Sequence, residues 1–197
     1  MIVFGITGGI GSGKSVVSRL MQMIDIPVYI ADERSKQLLD TSDELKQKLT
    51  DAFGNQLYRN GKIDKALFAS IIFSDKEKLQ LANNLIHPEV QKDFMHWLDS
   101  HRRKKTAIAA TESAILFESG FNRFVDKVIL VYTPREIRIQ RAMARDQASM
   151  KQIEARLNAQ QSDEDKIRLA DIMITNDGSH SLISQVNALI NKYLKHS

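Results

Sequence analysis

A chain of 197 residues, 43% hydrophobic and 26% charged, carries enough apolar material for one well-buried core. Its net charge of +4, from 28 basic and 24 acidic side chains spread along the chain, argues against a nucleic-acid partner, and the absence of cysteine excludes disulfides, thiolate nucleophiles and Cys-ligated zinc. No apolar stretch approaches bilayer length, so the expectation is a soluble, cytoplasmic protein with no membrane partner.

Residues 2–7 are a short apolar run with β-branched members, which reads as a buried strand. From Lys14 the period changes, and Val16, Val17, Leu20, Met21 and Ile24 share a helical face. A second strand-like run, residues 27–31, ends at Asp32. Between residues 41 and 105 the pattern is helical, with no strand signal. Thr41 with Glu44 makes a capping box for a helix closed by Gly54, and Ser74 with Glu77 repeats the device. His87-Pro88 should break the next helix, since the residue before proline avoids the α region, and Pro88 can open another carrying Val90, Phe94 and Trp97. Three more strands follow, at residues 106–111 ending on Glu112, 125–132 and 172–175. Thr133-Pro134 starts a helix, residues 137–167 are helical, polar and rich in arginine, and Leu182, Val186, Leu189, Ile190 and Leu194 form the apolar face of a last helix. About five buried strands separated by helices predict an α/β fold with a five-stranded parallel sheet, and ligands on such sheets bind at strand C-terminal ends. The expected organisation is one domain over 1–197. Its core covers about 1–40, 106–136 and 168–197, with a helical insertion at about 41–105 and a lid at about 137–167.

Residues 8–15 read Gly-Gly-Ile-Gly-Ser-Gly-Lys-Ser, which satisfies G-x-x-x-x-G-K-[ST] between a strand and an amphipathic helix. Glycines let successive backbone N–H groups curl around phosphate oxygens, the helix N-terminus adds partial positive charge, Lys14 meets the β- and γ-phosphates, and the Ser15 hydroxyl can ligate Mg²⁺. Phosphoryl transfer then needs a carboxylate near the phosphates and cations over the transferring group. Asp32 can accept a proton from an acceptor hydroxyl, the alternative being a helix N-cap; Glu112 at another strand end is a second candidate, or a simple cap. Arg138, Arg141 and Arg145 recur at helical spacing and can present guanidiniums to phosphate as a lid, against the alternative of a solvated face paired with Glu136 and Asp146. His87 stands at the expected helix break, where a substrate role competes with simple packing. Residues 101–105, His-Arg-Arg-Lys-Lys, read as a solvated helix end that complements the dipole, with steering of an anionic ligand as the alternative.

Along nearly its whole length the chain resembles the dephospho-CoA kinase family. The resemblance rests on residues 5–15, Ala31-Asp32, Phe53-Gly54, residues 61–64, His87-Pro88, Leu116-Phe117-Glu118, residues 141–146 and 155–160, Ala170-Asp171 and Asn176-Asp177-Gly178. It implies transfer of the ATP γ-phosphate, with Mg²⁺, to the ribose 3′-hydroxyl of dephospho-CoA. It further implies that Asp32 is the general base and that Lys14, Arg141 and Arg145 serve catalysis. ATP would be held by Gly11, Ser12, Gly13, Lys14, Ser15 and Val16, with Asn176 and Gly178 beside adenine. Thr7, Asp32, His87, Glu112 and Leu116 would face the acceptor, which the helical insertion would hold. Ile30, Val16 and Glu112-Ser113-Ala114 depart from the family's pattern. A kinase for another small metabolite and a nucleotide-dependent switch are the competing readings; a GTPase switch would want an Asn-Lys-x-Asp signature, and no such tetrapeptide occurs.

Overall fold

The apolar run Ile2–Thr7 is buried from its second residue onward and forms β1, the middle strand of the sheet. The computed structural model describes residues 1–158 and 160–194. It divides into two compact units, Met1–Ile30 with Ser100–Ser197, and Ala31–Asp99. In the first unit the strands lie in the order β2 (Val28–Ile30), β5 (Ile108–Glu112), β1, β6 (Lys127–Tyr132), β7 (Ile172–Thr175), and every pairing is parallel. Five strands separated by helices are thus what the alternating pattern predicts. The loops that leave their C-terminal ends begin with Gly8, Ser113, Thr133 and Asn176.

Helix α1 (Lys14–Met23) and helix α9 (Leu182–Leu194) cover the sheet. Val17 and Met21 of α1 meet Phe4, Ile6, Ile129, Val131, Val186 and Ile190 in one core. Val16 and Ile24 are exposed instead: residues 16 and 17 point about 100° apart, so only one can face the sheet, and Ile24 lies beyond the end of the helix. At the N-terminal ends of β1 and β6, Asp126 accepts from the Val3 N–H at 2.7 Å, and Asp171 accepts from the Val128 N–H at 2.8 Å. The polar segment forms α6 (Arg135–Asp146), α7 (Met150–Asn158) and α8 (Asp163–Leu169), with a small core of Ile139, Ala142 and Ile153 against Ile10.

The second unit begins at Ala31, ten residues before the expected start of the insertion, and so takes Asp32 with it. It holds α2 (Ala31–Thr41), α3 (Asp43–Phe53), α4 (Lys65–Phe73) and most of α5 (Lys76–Arg103) around Leu39, Leu45, Leu49, Leu57, Ile63 and Phe68. Three local expectations change. Ser42 rather than Thr41 caps α3, accepting from the Leu45 N–H at 3.2 Å, because Thr41 still belongs to α2 and turns its hydroxyl onto the Gln37 carbonyl. Asp75 rather than Ser74 binds the Glu77 N–H, since Ser74 bonds back to Ile71. The helix does not break at His87-Pro88; α5 runs through it. An internal proline costs about 3 kcal/mol, while Val90, Phe94 and Leu98 beyond it are buried at about 1.5–3 kcal/mol each, so burial wins. A hairpin also appears where no strand was expected, β3 (Tyr58–Arg59) with β4 (Lys62–Ile63), turning on Asn60 and Gly61 at φ 52° and 76°. Asn-Gly between short runs is the signal that marks it.

Candidate active site

Between β1 and α1 the chain curls so that the first turn of α1, beginning at Lys14, presents its N-terminus to whatever the loop encloses. Gly11 and Gly13 adopt left-handed backbone at φ 77° and 88°, which side chains resist. Crowding adds to this. A Cβ at Gly11 would strike the Arg138 backbone, one at Gly13 the Asn176 amide, and one at Gly9 the Arg138 guanidinium. The loop and helix form one wall of a cavity of about 350 Å³ that includes Gly11, Lys14, Ser15 and Val16, and Arg19, Arg141 and Arg145 complete the lining. Four cationic side chains around a glycine loop and a helix N-terminus make an anion site.

Beside it the Ser15 hydroxyl donates to Glu112 Oε1 at 2.9 Å, and Glu112 is buried at the end of β5. Two hard oxygen donors therefore sit together at the phosphate end of the loop, a set suited to a Mg²⁺ ion that takes its other ligands from phosphate and water. Among the described residues, no group of three or more acidic or histidine side chains could cage a metal by itself. Thr7 is fully buried and its hydroxyl has no hydrogen-bond partner among the described residues. Leu116 is enclosed too and packs beneath Gly5, where a Cβ would lie 2.8 Å from it.

Three of the arginines of α6, Arg138, Arg141 and Arg145, lie in different surroundings. Arg138 and Arg145 fall on one stripe, seven residues and about 10 Å apart along the axis. Arg138 is only 4% exposed and is ion-paired with Asp163, against Gly9. Arg145 is exposed and bonds Asp146 at 2.7 Å, which with Arg156 holds the Asp146 carboxyl below the usual range. Arg141 lines the cavity and donates through Nη1 to the Asn176 carbonyl at 3.1 Å. The Asn176 amide is committed to the loop, donating to the Ser12 carbonyl at 2.8 Å. Gly178, at φ 94°, has open space where a Cβ would stand.

Asp32 is the second residue of α2 and is exposed; it follows Ile30, the register partner of Glu112, by two positions. His87 lies within α5, partly buried, and burial pushes its imidazole below the usual range, toward the neutral form. Four contributors escaped the sequence reading. Arg19 sits one helical turn after Ser15, a spacing that could have found it. Thr133, at the end of β6, looks like an ordinary helix start. Gln160 Oε1 accepts from the Ile10 N–H of the loop at 3.0 Å; it falls in the stretch 155–160 that carries the resemblance, but no role at the loop is read from it. Lys166 is fully buried on α8, 3.8 Å from Glu118, and desolvation pulls its ammonium below the ordinary lysine range.

No helix among the described residues is long and apolar enough to cross a membrane. A family model described as dephospho-CoA kinase matches residues 2–181. A curated relative of that name from Bacteroides fragilis (strain YCH46) is 44% identical over 189 residues, covering 96% of this chain and 91% of its own. A solved structure from Thermus thermophilus aligns with a TM-score of 0.82 at 31% identity, over 97% of both chains. The dephospho-CoA kinase from Campylobacter jejuni aligns with a TM-score of 0.71 at 27% identity, over 98% of this chain and 96% of that one. A family match across most of the chain, joined to a glycine loop walled by cations, leaves one conclusion: this chain belongs to the dephospho-CoA kinase family.

Proposed function

We propose that this enzyme transfers the γ-phosphate of ATP to the ribose 3′-hydroxyl of dephospho-CoA in the cytoplasm, with Asp32 as general base. The observation that carries the reading is the cavity walled by Gly11, Lys14 and Ser15 and by Arg19, Arg141 and Arg145, an anion cradle at the C-terminal end of β1. Loop N–H groups and Lys14 hold the β- and γ-phosphates, while Arg141 and Arg145 answer the charge that spreads over the transferring group. Ser15 and Glu112 are the residues that would hold Mg²⁺. When bound, that ion would neutralise phosphate charge.

The Asp32 carboxylate takes the proton of the 3′-hydroxyl as that oxygen bonds to the γ-phosphorus, and the bond to the β-phosphate oxygen breaks to release ADP. Residues 31–99, with Asp32 and His87, bind the acceptor. Thr7 and Leu116, both enclosed, act by supporting the site from beneath, and Asn176 and Gly178 flank the nucleotide.

A coupled ADP-release assay with dephospho-CoA, pantetheine derivatives, nucleoside monophosphates and shikimate tests the acceptor; turnover only on one of the others overturns the reading. Asp32→Asn should lower turnover at least about a hundredfold while ADP affinity stays near wild type. Wild-type turnover in that variant removes Asp32 as the base.

A further inference from the structure

The Ser12 carbonyl, inside the glycine loop, receives two donors. Asn176 Nδ2 reaches it at 2.8 Å and Thr133 Oγ1 at 2.9 Å. Thr133 is 1% exposed, and its hydroxyl stands equally close, 2.9 Å, to the Asn176 carbonyl, so one hydrogen is shared between two acceptors. That Asn176 carbonyl also accepts from Nη1 of Arg141 at 3.1 Å. The Asn176 N–H donates to the Tyr132 carbonyl at 2.8 Å, which ties the ends of β6 and β7 together. Three loops leaving the sheet are thus joined through two side chains.

A trans peptide is planar, and its C=O and the following N–H point to opposite sides. Two donors on the Ser12 oxygen therefore fix the direction of the Gly13 N–H. Gly13 lines the cavity, and the Asn176 amide fills the space where a Cβ on Gly13 would lie. With the Ser12 oxygen held, this peptide cannot rotate its carbonyl into the cavity, where it would repel phosphate. The second arm acts on Arg141, whose guanidinium is seated by the same asparagine.

We propose that Thr133 and Asn176 are positioning residues of the phosphoryl transfer: they aim the Gly13 N–H into the phosphate cradle and seat Arg141 beside it, and Asn176 acts through the loop instead of reading the base. The proposal rests on the reading of the cavity as the ATP site and deepens it. Both side chains hold the Ser12 carbonyl, Thr133 also holds the Asn176 main-chain carbonyl, and that carbonyl in turn receives Arg141, so loss of either side chain should misplace donors without removing them. Misplacement of that kind lowers turnover more than it lowers binding.

The test compares Thr133→Val, Thr133→Ser, Asn176→Ala and the Val/Ala double variant. Calorimetry gives ADP affinity, steady-state assay gives kcat and the ATP/GTP preference, and thermal unfolding gives stability. Thr133→Val and Asn176→Ala should each weaken ADP binding by roughly five- to tenfold, the scale of one hydrogen bond, and lower kcat by about tenfold to a hundredfold. Thr133→Ser, which keeps the hydroxyl, should stay within about threefold of wild type, and the double variant should lose less than the product of the single losses, because both donors serve one carbonyl. The ATP/GTP preference should not move. Wild-type kcat and ADP affinity in Thr133→Val overturn the proposal, as does an Asn176→Ala enzyme with normal kcat and an altered ATP/GTP preference. Kinetics that are normal well below a lowered unfolding temperature also overturn it, leaving only a structural role. ADP affinity involves no acceptor, so failure on dephospho-CoA would not be confused with failure here.

Discussion

The sheet unit and the helical unit use their polar side chains in opposite ways. In residues 1–30 and 100–194 the decisive polar groups are turned inward onto backbone: Thr133 and Asn176 on Ser12, Gln160 on Ile10, and Asp126 and Asp171 on the N–H groups of Val3 and Val128. The hydroxyls of Thr7, Ser12, Ser18 and Thr111 are buried there with no hydrogen-bond partner among the described residues. In residues 31–99 the charges pair with one another, mostly at the surface: Glu44 takes Lys48 at 2.8 Å and Lys92 at 3.0 Å, Lys48 also takes the buried Glu89 at 2.9 Å, and Arg34 takes Asp93 at 2.6 Å. Inward bonds on loop backbone hold a geometry, whereas outward ion pairs hold helices in register at little individual cost. One unit is arranged for preorganisation and the other for packing.

The largest expected effect that sharpens this contrast is Lys14→Met. Removing one preorganised cation should lower turnover on the order of a thousandfold, with the unfolding temperature within a few degrees of wild type. If stability falls and turnover follows it, the sheet unit is not preorganised in the sense argued. Next comes Leu49→Ala in the helical core, where Leu49 is fully buried. It should cost about 3 kcal/mol in urea unfolding and leave ADP affinity intact at 25 °C; a loss of ADP affinity would break the division.

The smallest effect is at Glu44. Its carboxyl is lowered from 4.5 to about 2, first by the hydrogen bond from Lys48 and then by Lys92. A depressed carboxyl adds stability above its unfolded value and loses it as pH falls. The urea midpoint of wild type should therefore exceed that of Glu44→Gln above about pH 4.5, the two should converge toward pH 2, and added salt should shrink the gap. A large turnover defect in Glu44→Gln would mean that this surface network takes part in catalysis.

Much of this was legible in the chain, and the exceptions share a cause. The loop at residues 8–15 and the five strands declare themselves because each is local: short apolar runs, glycines at fixed spacing, an acid at a strand end. Asn60-Gly61 was equally local, but its two-residue strands fall below the length at which alternation registers. Pro88 misled because its penalty is local whereas the burial that outweighs it is not. The same holds at the site. Helical spacing grouped Arg138, Arg141 and Arg145, but only the Asp163 carboxylate, 25 residues away in sequence, separates Arg138 from the other two. Thr133 meets Ser12 across 121 positions, and no sequence window spans that distance.

Three of the crowded glycines, Gly9, Gly11 and Gly13, carry a consequence for inheritance. Gly9 and Gly11 face Arg138, and Gly13 faces Asn176, so each lacks a side chain partly because a distant residue already fills its place. Substitution at one of these glycines and substitution at its neighbour are then coupled events. A descendant that replaced Arg138 with a smaller residue would regain freedom at position 9, where backbone conformation sets no bar, but none at 11 or 13, where left-handed φ would still demand glycine.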